Sequence, residues 1–395
     1  MIDLAAERAL TPGCLDQVFL DSAGSSLPPS PVLDAMVTHL RREAAVGGYR
    51  AANERLDELA GLPVSLGRLL GCDPDLVALS DSATRSWNAF VTAIDWRPGD
   101  RILICGNEYA SNAIALLQRA RLDGCTVEVV PSDGAGGPDL EKLAAMLDER
   151  VRLVSLVHVA TNSGLVSPVR AVVDLAHAVG ALVLLDACQS AGQLDLDVDA
   201  LGVDALTATG RKWLRGPRGT GFLYVRRALL DGLEPATVDL RGGTWTAPGS
   251  YALAPGAARF ELWETDVAGR LGLKAAVDHL LALGPAEVET AVRANAARLR
   301  AALGEVPGVR LRDAGSDLAG IVSFTVDGTD PVRVRDELGA AGVTVTVSHA
   351  SSTLLDMGER GLSAVVRASP HYFVSPEDLD TASAAVAAIS ARAGS

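Results

Sequence analysis

Positive charge and aromatic rings are both scarce in this chain. Lysine and arginine total 35 against 49 aspartates and glutamates, a formal charge of −14 over 395 residues. That balance argues against a nucleic-acid surface and against binding to an anionic membrane. Aromatic residues make up only 4%, so the core must be built from small apolar side chains. No stretch reaches the roughly 18 uninterrupted apolar residues of a transmembrane helix. The opening MIDLAAERALTPG is acidic and lacks the basic-then-apolar order of a signal peptide, so a cytoplasmic protein is expected. The five cysteines (Cys14, Cys72, Cys105, Cys125 and Cys188) are scattered, odd in number and never in a CxxC pair. Neither a disulfide framework nor a metal site is expected from them. At about 100–200 residues per domain, the length suits two or three domains.

Lysine is rarer than cysteine. Lys142, Lys212 and Lys274 are the only three, so arginine carries nearly all the positive charge. A guanidinium is never deprotonated in a protein, so arginine cannot replace a lysine that forms an imine with an aldehyde.

The middle of the chain alternates apolar runs with helical patterns. RILIC (101–105), TVEVV (126–130), RLVSLVHV (152–159), ALVLLDA (181–187) and GTGFLYVRR (219–227) read as strands. Segments 111–122, 139–147 and 168–179 read as helices. Near-continuous apolar strands separated by helices point to a parallel sheet covered on both faces, with ligands at the carboxyl ends of its strands. Beyond about 270 the pattern changes. One long helical stretch is expected over 268–304, then GIVSFTV (320–326), a helix near 331–341, GVTVTVS (342–348), AVVRAS (364–369) and a closing helix from 376. The expected organisation is an N-terminal arm (1–35), a large doubly wound domain (36–270) and a smaller α+β domain (271–395). The helical segment 33–60 is expected to break at GGY (47–49).

The chemistry centres on ALVLLDACQSAG (181–192) and DALTATGRKWLRGPRGTGFLYV (204–225). Asp186 ends an apolar strand at the ligand edge of the sheet, and Lys212 follows in a glycine-rich turn. Pyridoxal phosphate (PLP) needs these parts: a lysine for its aldehyde, a carboxylate for its pyridine nitrogen, and hydroxyls, arginine and backbone N–H groups for its phosphate.

From FLDSAG (19–24) to RASPHYFVSPEDLD (367–380), these ordered motifs resemble the class V aminotransferase and cysteine desulfurase group of fold-type I PLP enzymes. The resemblance implies a large, mostly parallel α/β domain plus a small α+β domain. It places Ser82, Ala83 and Thr84 at the phosphate-binding turn, Tyr109 on the cofactor ring, and Asn162 near the ring hydroxyl. It assigns Asp186 to the pyridine nitrogen, Gln189 to the ring oxygen, Thr209 and Arg211 to the phosphate, and Lys212 to the Schiff base. Arg367 matches the arginine that grips the substrate α-carboxylate. Thr244, in the GGT run 242–244, matches the segment that reaches the partner subunit's phosphate, so a homodimer is implied. His349 and His371 are further candidate bases, Tyr49 and Trp245 candidate pocket walls, and Arg241 and Arg259 secondary anchors.

A desulfurase-type persulfide relay needs a nucleophilic cysteine on the loop before the carboxylate-binding arginine. The matching stretch, 343–361, contains none. AVGGYRAANE (45–54), the EYASN turn, RKWLRGPRGTGFL (211–223) and RFELWETDVAGRLGL (259–273) are similar to isopenicillin-N-epimerase-like proteins. Among these they are closest to ergothioneine-pathway C–S lyases and related lincosamide-biosynthesis enzymes. The expectation is β-elimination from a cysteine S-conjugate. Decarboxylation coupled to oxidative deamination, transamination or epimerisation, and a PLP-binding regulatory protein are the alternatives.

Overall fold

A computed structural model describes residues 2–393. Seven strands form the central sheet: β1 (Val77–Ser80), β2 (Arg101–Cys105), β3 (Thr126–Val130), β4 (Val151–Val157), β5 (Leu182–Asp186), β6 (Ala205–Thr209) and β7 (Gly221–Val225), in the order β1-β7-β6-β5-β4-β2-β3. From β6 to β3 the pairing is parallel; β7 runs antiparallel to both of its neighbours. The inner strands β4 to β7 are almost wholly buried, as a sheet covered on both faces requires. Strand order reverses between β2 and β4, and such a reversal opens a crevice at the strands' carboxyl ends.

The helices begin where side chains can satisfy their free N–H groups. Helices α1 (Ser30–Val46) and α2 (Leu56–Leu70) precede the sheet, and the chain breaks at Gly47 within GGY between them. Ser82 caps α3 (Ala83–Ala93), accepting from the Arg85 amide at 3.2 Å. Helices α4 (Ala110–Asp123), α5 (Leu140–Met146) and α6 (Val169–His177) connect the parallel strands, with Asp139 capping α5. Asp266 caps α7 (Val267–Leu283), which packs on α1 and α2. The single helix expected over 268–304 is two: Gly284, at φ +88°, ends α7, and Pro285 opens α8 (Pro285–Gly304).

An exposed hairpin, β8 (Gly243–Ala247) with β9 (Ser250–Leu253), precedes α7. The C-terminal part is an antiparallel sheet of β10 (Val309–Leu311), β11 (Val322–Val326), β12 (Thr346–His349) and β13 (Ala364–Ala368), ordered β10-β11-β13-β12. Helices α9 (Pro331–Ala340) and α10 (Pro376–Ala393) cover it. The GVTVTVS stretch splits. Val343–Thr344 pairs in parallel with Val18–Phe19 of the N-terminal segment, and Thr346–His349 joins β13. Among the described residues no helix is long and apolar enough to cross a membrane.

Arg215 joins the parts. It is the one non-glycine among the described residues with positive φ, +60°, and is only 2% exposed. Its guanidinium donates to the Leu27 carbonyl (2.9 Å), the Thr11 hydroxyl (2.5 Å) and the Tyr372 hydroxyl, and lies 4.4 Å from the Phe373 ring centroid. Glu7, paired with His279 at 2.8 Å, stands 3.8 Å away. Arg215→Met takes the charged donor from Leu27, Thr11 and Tyr372 while Glu7 keeps His279, so it should cost about 1.5–3 kcal/mol, the range for hydrogen bonds to a charged group. Urea unfolding checks this, and an unchanged midpoint would refute it.

Candidate active site

A cavity of about 330 Å³ opens where β2, β4, β5 and β6 end. Asp186, the last residue of β5, is held from two sides. Asn112 Nδ2 donates to its Oδ2 at 2.8 Å and the Cys188 amide to its Oδ1 at 2.8 Å. Both oxygens retain lone pairs for a further donor. Lys212 sits in the turn after β6 and lines the same cavity. The other lysines are in ion pairs, Lys142 with Asp139 and Lys274 with Asp278. Lys212 has no ion pair among the described residues. Burial is the main force lowering its pKa; Cys188 and Asp186 oppose the shift, and Arg211 and Arg367 add to it.

Ser82, Ala83 and Thr84 line the end of the cavity at the start of α3, where free N–H groups and the helix dipole favour an anion. Gly221 permits this cradle: a Cβ there would lie 2.5 Å from the Ser82 carbonyl carbon and 2.7 Å from the Ala83 nitrogen. Thr209 and Arg211 close the same end, and the Arg211 guanidinium is steadied by the Gly24 carbonyl. Tyr109, which precedes α4, stands at the mouth, 37% exposed.

Gln189 lines the cavity and donates to Thr161 Oγ1 (3.1 Å) and the Ala23 carbonyl (3.1 Å), while Trp213 Nε1 donates to its oxygen (2.8 Å). Arg367 on β13 does not line the cavity itself. It reaches the wall through Thr161, donating to Oγ1 at 2.9 Å, and its Nη2 lies 3.7 Å from Asp21. Burial lowers the pKa of Arg367, opposed by Asp21; burial likewise raises the pKa of Asp21, opposed by Arg367. The Arg367 Nε is buried without a partner. Asn162 lies behind the wall, donating to Thr353 Oγ1 (2.7 Å) and Ser352 Oγ (3.3 Å), with its Oδ1 buried and unpaired.

Other candidates lie elsewhere. Thr244 is on the exposed β8–β9 hairpin, outside the cavity. Tyr49 and Trp245 are 81% and 76% exposed. Arg241 pairs with Glu261 at 3.0 Å, and buried Arg259 binds loop carbonyls. His349 is exposed on β12. His371 donates from Nε2 to the Trp213 carbonyl (2.9 Å) and accepts the Tyr372 amide at Nδ1 (2.9 Å). Burial lowers its pKa to about 3, so the ring stays neutral.

The site also uses residues not singled out from the sequence: Asn112, Thr161, Ser111, Asn107 and Arg218 line the cavity. Two had a signal. Asn112 follows Tyr109 by three positions, in the first turn of α4, and Thr161 adjoins Asn162.

The donor set fits PLP: an unpaired lysine, a carboxylate with free acceptor capacity, and a helix-start anion cradle beside a guanidinium. The Aminotransferase class-V profile matches residues 18–381. A probable cysteine desulfurase 2 from Mycobacterium leprae is 33% identical over 403 residues, covering 96% of this chain and 94% of its own. The apo cysteine desulfurase from Thermococcus onnurineus NA1 superposes with TM-score 0.91 at 24% identity, covering 99% of both chains. The cystine C–S lyase C-DES, solved with its product cysteine persulfide, gives 0.85 at 26% identity, covering 95% of this chain and 99% of its own. A lysine-to-alanine mutant of C-DES with glycine covalently linked to its PLP cofactor gives 0.87 at 27% identity, covering 96% and 98%.

Gly221→Ala should push the Ser82–Ala83 backbone away from the phosphate position. PLP affinity should fall about tenfold, equivalent to about 1.4 kcal/mol. Absorbance titration of the apoprotein measures it; wild-type affinity would exclude a phosphate at this turn.

Proposed function

The chain belongs to the class-V aminotransferase family and uses PLP, and on that premise we propose that it is a C–S lyase acting by β-elimination on cysteine S-conjugates. The carrying observation is the absence of a suitable thiol. Residues 343–361 contain no cysteine, and none of the five lies beyond Cys188. Cys188, the cysteine lining the cavity, has its pKa raised well above the usual thiol value by burial and by Asp186. A thiol held protonated is a poor persulfide acceptor. The named relatives are desulfurases, but this reading is nearer to C-DES, whose substrate cystine is itself an S-substituted cysteine.

Bound PLP supplies an electron-withdrawing ring that makes the substrate Cα–H acidic. Asp186 holds the ring-nitrogen end. Ser82, Ala83, Thr84, Thr209 and Arg211 hold the phosphate, and Tyr109 and Gln189 border the ring, with Asn162 behind the wall. Arg367 pairs with the α-carboxylate, a planar acceptor matched to a guanidinium, while Thr161 fixes the orientation of the guanidinium. Lys212, with its neutral amine favoured by burial, takes the Cα proton. The Cβ–S bond breaks, the thiolate leaves with its electron pair and gains a proton, and water releases the remaining three carbons. In balance, the S-conjugate and one water give a thiol, pyruvate and ammonium.

The same reading makes the protein a cytoplasmic homodimer in which Thr244 reaches the partner's cofactor. Its support is the hairpin, where the cross-strand pair Trp245 and Tyr251 is exposed together with Leu240 and Trp263 nearby. The motifs shared with isopenicillin-N-epimerase-like and ergothioneine-pathway proteins support a natural-product conjugate as substrate.

The test is incubation of the yellow protein with S-substituted cysteines, cystine included, with and without oxygen. Expected products are pyruvate, ammonium and a free thiol or persulfide, independent of oxygen. Alanine with sulfur left on the protein would make it a desulfurase. Carbon dioxide and an S-linked aldehyde, with oxygen consumed, would make it an oxidative decarboxylase. Lys212→Ala should abolish turnover. Arg367→Lys should lower kcat/KM about 10–100-fold, mainly through KM, by removing a charge-assisted bond worth about 1.5–3 kcal/mol. An unchanged KM would remove Arg367 from carboxylate binding.

A further inference from the structure

Beneath the cavity floor lies a second carboxylate that the mechanism above does not use. Glu108 is only 3% exposed and sits between the end of β2 and the start of α4. Its Oε1 accepts the Tyr109 amide at 2.9 Å and Asn112 Nδ2 at 2.9 Å; its Oε2 meets the Ser155 hydroxyl of β4. The same Asn112 nitrogen donates its other hydrogen to Asp186 Oδ2 at 2.8 Å. One amide therefore spans two carboxylates and uses both of its hydrogens in doing so. This arrangement also fixes the amide's orientation, since its oxygen facing either carboxylate would be repulsive.

We propose that Glu108 is a positioning residue for Asp186, aiming it through Asn112 and setting, by its own proton, the negative potential that Asp186 presents to the cofactor ring. Burial raises the pKa of Glu108 to about 7, and the Ser155 and Asn112 bonds oppose the shift. The titratable groups facing it are Asp186 from β5 and the buried Cys105 thiol from β2. It has no arginine or lysine ion pair among the described residues. Below about pH 7 Glu108 is neutral, and Asp186 is the one negative charge at the Asn112 amide. Above it a second negative charge appears behind Asp186, strengthening the hold on a protonated pyridine nitrogen. The Oε1–Asn112 bond survives in both states, because a protonated acid still accepts at its carbonyl oxygen.

The inference rests on the proposed role of Asp186 and not on which substrate bond breaks, so it is read first without substrate. The visible absorbance of the PLP-loaded protein, and separately kcat, would be followed from about pH 5 to 9. Wild type should show an inflection near pH 7. Glu108→Gln should lose it and lower kcat by about 10-fold with KM little changed, the scale on which loss of an orienting partner acts. Asn112→Ser should loosen the aim of Asp186, lowering kcat, and, by removing a bond that favours the charged form of Glu108, move the inflection to higher pH. Ser155→Ala keeps the carboxylate but removes a bond that favours its charged form, so the inflection should move to higher pH. Superimposable spectra for wild type and Glu108→Gln would overturn the proposal. If Glu108→Gln fails to fold, an inflection in Ser155→Ala at the wild-type position would overturn it instead. Loss of β-elimination in the earlier assay with the inflection intact would refute the reaction and leave this pair standing.

Discussion

The lysine turn depends on one buried guanidinium. Arg215 follows Lys212 by three residues, and its amide donates to the Lys212 carbonyl at 2.9 Å, closing the turn. A non-glycine residue in the left-handed region costs roughly 1–2 kcal/mol. The side chain offsets that cost with bonds to Thr11, Leu27 and Tyr372 and with the face of Phe373. The partners come from both ends of the chain, two from each. Lys212 is therefore aimed by long-range packing as well as by local conformation.

The site has a consistent electrostatic logic. Its basic groups, Lys212, Arg211 and Arg367, lie close enough to act on one another, while Asp186 stands with Asn112 and Glu108. Arg367 is partnered weakly: 3.7 Å to Asp21, with Nε unpaired. The guanidinium thus keeps an unspent donor at Nε. Thr161 links Arg367 to the cavity wall, accepting from Arg367 and Gln189 at one oxygen.

Much of this was legible in the sequence, and what was not follows a pattern. The buried parallel strands announced themselves as apolar runs, and Lys212 stood out because only three lysines remain. Asp186 was visible as the polar end of such a run. Glu108 was not, because its role comes from contacts with Ser155 of β4 and, through Asn112, Asp186 of β5 that no local pattern encodes. Arg215 looked like one arginine among many. The division at Gly284 was missed because Ala and Leu continue the helical pattern on both sides of the Gly284–Pro285 step that separates α7 from α8. The short strand β1 was missed because it pairs antiparallel with a partner more than a hundred residues away.

The two ends of the chain meet at the lysine turn. Thr11 and Leu27 are made before Arg215, and Tyr372 and Phe373 long after it, yet all four touch Arg215. Arg367, too, arrives late in synthesis. During translation the sheet and its anion cradle are on hand long before the turn has its final partners. Order of synthesis thus separates the scaffold that carries Lys212 from the contacts that brace its turn.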